Sequence, residues 1–190
     1  MRIVGGIWRG RPLQAPEGRG TRPTTDRVRE SMASMVLSAF DLDLSEVRIL
    51  DAFAGSGAIG LELLSRGARS CTFVERDRRA LGIIRANVKS LGASPAQARV
   101  QGGDIFTLAG HDGLQGGPYD LILLDPPYAM EADQVARILE DLHANGQLSP
   151  GAVIVYEHAS ATPDLPLAHA EVVKTKARGT TAVTLFRWED

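Results

Sequence analysis

The stretch Val47-Arg48-Ile49-Leu50-Asp51-Ala52-Phe53-Ala54-Gly55-Ser56-Gly57-Ala58-Ile59-Gly60 sets the fold. Val47 to Leu50 reads as a short strand, the glycines make a tight turn, and Ala58 to Ser65 reads as a helix with Gly67 just beyond it. Outward from this unit the same alternation repeats. A strand is expected at 70–75, a helix at 77–91 stopped by Gly92, a short strand near 97–101, and a fourth strand over the apolar run Tyr119 to Leu124. A helix follows at 131–144, with Val135, Ile138, Leu139 and Leu142 on one face, and then a fifth strand over Gly151 to Tyr156. Strands alternating with helices predict an α/β fold with a mostly parallel sheet covered on both faces. The tail breaks this pattern. Runs 170–175 and 181–187 are strand-like and join through Arg178-Gly179-Thr180 without a helix, which predicts an antiparallel hairpin at one sheet edge. Ahead of the central unit, residues 2–14 alternate weakly around Gly5, Gly6 and Gly10, as in a short hairpin or extended arm. Thr24-Thr25-Asp26 then supply a cap for a helix expected from about 26 to 40.

The chain has 190 residues, of which 44% are apolar and 23% charged. That is one globular domain, too short for a (β/α)₈ barrel of ~250 residues and too apolar for disorder at a net charge of −2. A lone cysteine, Cys71, excludes an internal disulfide framework and a thiolate-rich metal site and fits a reducing compartment. The four histidines, at 111, 143, 158 and 169, are scattered and read as solvated or structural, so no metal is expected. With no apolar run of membrane-spanning length, a cytoplasmic monomer is expected. Charge is uneven. Residues 1–30 carry Arg2, Arg9, Arg11, Arg19, Arg22, Arg27 and Arg29 against Glu17, Asp26 and Glu30, a local balance of +4, while the rest of the chain comes to −6. A basic arm ahead of an acidic body suggests contact with a polyanion.

Four carboxylates fall at or just after strand ends. Gly55, Gly57 and Gly60 satisfy the G-x-G-x-x-G pattern of dinucleotide enzymes, and Glu75, 18 residues after Gly57, stands where a carboxylate accepts from ribose hydroxyls. Asp51, ahead of the glycines, suits a cationic amino-acid ligand and repels a pyrophosphate. Gly103-Asp104-Ile105-Phe106 adds a carboxylate and an apolar wall after the third strand, fitted to an exocyclic amine such as adenine N6. Leu124-Asp125-Pro126-Pro127-Tyr128 ends the fourth strand in an acceptor, two rigid prolines and a ring. Asp125 and the Pro126 carbonyl can orient the two N–H bonds of an amine while Tyr128 stacks on a base. Three classes of protein compete for this pattern. A nicotinamide-dependent oxidoreductase leaves Asp125 to Tyr128 without a role, and a non-catalytic RNA-binding module has no need for Asp51, Glu75 and Asp125 together.

These motifs, in this order, resemble those of class I S-adenosylmethionine-dependent methyltransferases acting on amino nitrogens. Arg2-Ile-Val-Gly-Gly-Ile-Trp-Arg-Gly-Arg11 and Arg22-Pro-Thr-Thr-Asp-Arg-Val-Arg-Glu30 narrow the resemblance to the bacterial small-subunit ribosomal RNA guanine-N2 methyltransferases, the RsmD family. The match covers nearly the whole chain and departs at Lys174-Thr-Lys176-Ala-Arg178-Gly-Thr, which is only loosely similar. The resemblance implies a Rossmann-like domain over 26–190 with a seven-stranded sheet, preceded by the arm at 1–25. It implies S-adenosylmethionine as cofactor and S-adenosylhomocysteine as product. Asp51, Phe53, Gly55 and Gly57 would line its methionine and ribose, Glu75 with Arg76 its ribose hydroxyls, and Asp104 with Ile105 its adenine. Arg22 or Thr24 would lie near its carboxylate, and Asp125, Pro126, Pro127 and Tyr128 would hold a guanine extruded from 16S ribosomal RNA within a small-subunit particle. Arg2, Arg9, Arg11, Arg19, Arg27 and Arg29 would grip phosphates, with Lys174, Lys176 and Arg178 as further candidates. Adenine N6, cytosine N4 and a protein glutamine amide present the same N–H pair, so Asp-Pro-Pro-Tyr alone leaves them open.

Overall fold

The computed structural model describes residues 1–15, 26–111 and 113–189. The expected alternation is present. Helix α1 (Asp26–Ala39) leads into β1 (Arg48–Asp51), α2 (Ala58–Ser65), β2 (Ser70–Glu75), α3 (Arg78–Leu91) and β3 (Ala98–Gly102). Then come α4 (Ile105–Gly110), β4 (Tyr119–Leu124), α5 (Ala132–Ala144), β5 (Leu148–Ala159), β6 (Ala170–Arg178) and β7 (Thr181–Trp188). The seven strands form one sheet in the order β3-β2-β1-β4-β5-β7-β6. The first five are parallel, and the β6–β7 hairpin closes one edge with β7 antiparallel to β5. No helix among the described residues is long and apolar enough to cross a membrane.

Alternation along the strands divides the core in two. Ile49, Phe73, Leu121, Leu123, Val153 and Val155 face α1, α2 and α3, whereas Leu50, Val74, Ile122, Leu124, Ile154 and Tyr156 face α4 and α5. Strands buried on both sides must be apolar on both sides, which is why Leu121 to Leu124 reads as an unbroken run. Local chemistry marks the helix ends. The Asp77 carboxylate accepts from the Arg79 and Ala80 amides at 2.9 Å and starts α3, and Gly92 at φ 74° stops it. Two features differ from expectation. Helix α4 spans six residues, too few for a helical period to show, and β5 runs from Leu148 because its first residue pairs with Tyr119.

Residues 1–15 are bound to the domain along their length. The Arg2–Pro12 bridge folds them into a hairpin that buries Ile3 and Leu13 in the α1–α3 core. Its Val4 and Gly5 amides donate to Glu62 at 2.7 and 2.8 Å, and Trp8 N–H donates to Ser65 Oγ at 2.9 Å. The Gln14 amide donates to Asn87 Oδ1 at 2.8 Å. Glu62 is fully buried and also accepts from Arg66 Nε, so its charge is neutralised without water.

Candidate active site

Asp51, Glu75, Asp104 and Asp125 all stand at or just beyond the carboxyl ends of parallel strands, around the point between β1 and β4 where strand order reverses. Ligands of open α/β sheets bind in the crevice at that point. Alternation and register bring Asp51 and Asp125 onto one face, because Asp51 pairs with Leu123, two residues before Asp125.

The glycine turn is held from below. Ala54 N–H donates to the Val74 carbonyl at 3.0 Å, and Gly55 N–H donates to Glu75 Oε2 at 2.9 Å, while Glu75 Oε1 accepts from Asp77 N–H at 2.8 Å. Each Glu75 oxygen retains a lone pair for a further donor. Gly55 has φ 55°, and a side chain there would project into open space, so only a ligand would meet it. Gly60 serves packing instead. A Cβ at this position would come within 2.5 Å of Phe73 and 2.7 Å of Cys71 Sγ, and 3.1 Å from Asp51 Oδ2.

Asp51 is only 3% exposed, and its Oδ2 has no hydrogen-bond partner among the described residues. Burial, followed by the charge of Asp125, raises its pKa to about 7; the Gly60 amide opposes the shift and Glu75 adds to it. Asp125 is reached by water across the open cleft but is hemmed in by protein, and lost hydration raises its carboxyl to about 6. A cleft whose carboxylates crowd each other in this way favours a cation. The orphaned Asp51 oxygen and the open front of Gly55 therefore fit the ammonium-bearing amino-acid end of S-adenosylmethionine.

Beyond Asp125 the chain turns. Pro126 is buried, Pro127 is exposed, and the Pro127 carbonyl accepts from Met130 N–H at 2.9 Å. The Tyr128 ring, 54% exposed, is tethered through its hydroxyl, 3.3 Å from Thr181 Oγ1 at the start of β7. Pro126, Pro127, Tyr128, Met130, Tyr156 and His158 line a recess at this lip. Beneath it the Tyr156 and His158 rings stack at 4.6 Å, and His158 Nε2 lies 3.1 Å from Thr184 Oγ1, which donates to Asp164 at 2.8 Å. This wall was not anticipated. Its one signal in the sequence is the placement of Tyr156 and His158 two apart, on one face of a strand.

Other expected residues are placed variously. Phe53 is half-buried against the α4–α5 core, Ile105 is buried, Gly57 packs near Phe73 and Ile84, and Arg76 is exposed. Asp104 is exposed and caps α4, accepting from Phe106 N–H at 3.0 Å. Arg19, Arg22 and Thr24 lie outside the described residues. Arg2, Arg9, Arg11 and Arg27 are exposed. Arg29, grouped with them above, is instead 1% exposed and donates to the Arg2 carbonyl at 2.7 Å and to Asp26 at 2.6 Å. Helical spacing explains this correction, since Arg29 shares the inward stripe of α1 with Met32, Ala33 and Val36. Among the described residues no cluster of three or more His, Cys, Asp or Glu is placed to hold a metal ion.

Comparison with known proteins agrees with this geometry. The family model described as conserved hypothetical protein 95 matches residues 1–187. The ribosomal RNA small subunit methyltransferase D of Escherichia coli K12 is 35% identical over 100% of this chain and 90% of its own length. Its namesake in Haemophilus influenzae is 32% identical over 98% of this chain and 93% of its own. A solved Escherichia coli chain superposes with a TM-score of 0.82 at 33% identity, covering 100% of this chain and 98% of that one. The rRNA methyltransferase aviRa of Streptomyces viridochromogenes, at 18% identity, covers 90% of this chain and 88% of its own with a TM-score of 0.69, and so shares the fold. The chain belongs to the conserved hypothetical protein 95 family, the RsmD family, and is a methyltransferase.

Proposed function

We propose that this methyltransferase uses S-adenosylmethionine to methylate the exocyclic N2 amine of a guanine in small-subunit (16S) ribosomal RNA, acting as a cytoplasmic monomer on a small-subunit particle. The observation that carries this reading is the buried, unpartnered Asp51 oxygen on the same sheet face as Asp125, directly ahead of Pro126-Pro127-Tyr128. The names of the Escherichia coli and Haemophilus influenzae relatives support the RNA class.

When bound, S-adenosylmethionine supplies a methyl group on a sulfonium sulfur, an electrophile open to in-line attack by a nitrogen lone pair. Asp51 takes the ammonium end, and Glu75 takes ribose hydroxyls on its remaining lone pairs, with Arg76 beside it. Asp104 and Ile105 would take the adenine, Phe53, Gly55 and Gly57 would line the path between, and Arg22 or Thr24 would meet the carboxylate. Asp125 and the Pro126 carbonyl each accept one N–H of the target amine, which turns its lone pair out of conjugation. Tyr128, fixed by Thr181 and braced by Pro127, stacks on the extruded base. Positioning is the main device, and Asp125 stabilises positive charge as it develops on nitrogen before the surplus proton leaves to water. Exposed Arg2, Arg9, Arg11 and Arg27, with Arg19, contact phosphates.

The test is transfer of labelled methyl to small-subunit particles lacking the modification, followed by digestion to nucleosides. Label in N2-methylguanosine is expected. Label in an adenine or cytosine nucleoside, or in a protein glutamine, overturns the substrate and leaves the methyl transfer.

A further inference from the structure

We infer that edge strand β6 and helix α1 form a track for the RNA backbone flanking the target base, a contact that rests on the RNA reading above. In the β6–β7 ladder Lys174 pairs with Leu185, Lys176 with Val183 and Arg178 with Thr181. Leu185 and Val183 belong to the core on the α1 side, so their cross-strand partners Lys174 and Lys176 stand on that same face, and Arg178 continues the alternation. The strand pleat puts these three cations on one side at every second residue, about 6.6–6.8 Å apart, and the irregularity between Val172 and Lys174 decides that this side is the α1 side. All three are exposed, and none forms an ion pair among the described residues.

The stripe borders an open groove of about 310 Å³ whose far wall is Ser34, Met35, Ser38 and Ala39 of α1, with Asp41 beyond the helix end. Its floor is Leu185 and Arg187, and the Arg187 guanidinium is committed to the Gly151 and Ala39 carbonyls at 3.3 and 3.4 Å. Exposed Arg27 lies on the same helical stripe as Ser34 and Ser38, toward the start of α1. The groove thus offers cations and hydroxyls from two walls, with Asp41 its one acidic lining residue among the described residues.

The stripe also points at the cleft. Arg178, its last member, pairs with Thr181, whose hydroxyl tethers Tyr128. Cations therefore run outward from the lip of a cleft that is itself carboxylate-lined, an arrangement that keeps phosphates outside and admits a neutral base. Strand β6 itself carries no aromatic residue to stack bases, so the stripe reads backbone charge and not sequence.

The test replaces Lys174→Ala, Lys176→Ala and Arg178→Ala together in the full chain and uses small-subunit particles lacking the methyl group as probe. The expected result is a loss of at least about 30-fold in kcat/KM at ~0.1 M salt, carried by KM. The log–log salt dependence of particle binding becomes shallower by about 2, from roughly 0.7 per single-strand phosphate contact. S-adenosylmethionine affinity, measured without particle, stays within twofold, and the charge-keeping set Lys174→Arg, Lys176→Arg, Arg178→Lys recovers KM and slope. The track is overturned if wild-type protein labels RNA while the alanine variant keeps the same KM and slope, or if cofactor affinity collapses in parallel. A wild-type protein that places no label in any RNA defeats the parent reading, and the track with it.

Discussion

The chain carries two hairpins, one at each end, and they use their charges in opposite ways. In the first, Glu62 is buried beneath the Val4 and Gly5 amides, Arg2 leans 3.7 Å from Asp26, Arg29 is buried beneath the Arg2 carbonyl, and Arg11 donates to the Ser90 carbonyl. In the second, β6 is exposed along nearly its whole length and Lys174, Lys176 and Arg178 face an open groove. The richer charge count lies at the N-terminus, yet much of that charge is tied to the protein. The difference teaches that the availability of a cation depends on the carbonyls and carboxylates within its reach, and its position along the chain is a poor guide.

The largest expected effect concerns the first hairpin. Glu62→Ala leaves two amides and Arg66 without their buried partner and should cost about 3–5 kcal/mol, lowering Tm by roughly 10 °C. Methyl transfer per folded molecule should stay close to wild type; a variant of unchanged Tm that loses particle affinity would exchange the roles of the two hairpins. Next is the cleft that the second hairpin flanks. Asp125→Ala should reduce turnover by about 100-fold, in the range set by removal of one preorganised electrostatic partner, with cofactor affinity nearly unchanged. Equal loss in both quantities would make Asp125 a scaffold residue.

A pH effect should be smaller and reads the same cleft. Asp51 and Asp125 have folded-state pKa values raised to about 7 and about 6, above the ordinary carboxylate value, so between about pH 4 and pH 7 the folded chain holds more protons than the unfolded one. Stability of the ligand-free protein should therefore fall as pH rises through that window. The thermal shift produced by S-adenosylmethionine should be larger at pH 8 than at pH 5, and Asp51→Asn should flatten the difference. A shift that is independent of pH in the wild type would remove the cationic end of the cofactor from Asp51. The smallest effect is expected from Arg9→Ala with Arg11→Ala: a few-fold loss of particle affinity and a salt slope shallower by at most about 1.4. A loss greater than that of the β6 triple variant would reverse the comparison.

Much of the fold was legible because its signals are local. Asp51 through Gly60 declares strand, turn and helix in one reading, and the apolar run Leu121 to Leu124 followed by Asp125-Pro126-Pro127 marks a buried strand and where it stops. Helix α4 was missed because six residues show no period, and the Tyr156–His158 wall because two rings on a strand read equally well as core. Arg29 was misplaced because a charge count takes no account of which helical face a residue occupies.

By itself, then, the sequence determined the order and kind of every element except α4, and the carboxylates that end the strands, since hydrophobic period, glycine turns and prolines act over a few residues. The tertiary structure alone decided which carboxylates meet and which cations remain open. Asp51 and Asp125 share a face because β1 and β4 are neighbours in register, and the β6 cations stand on the α1 side of the sheet because an irregularity between Val172 and Lys174 shifts their register against β7. Both depend on pairing between distant segments, and the free energy of a charge depends on the neighbours that such pairing brings to it.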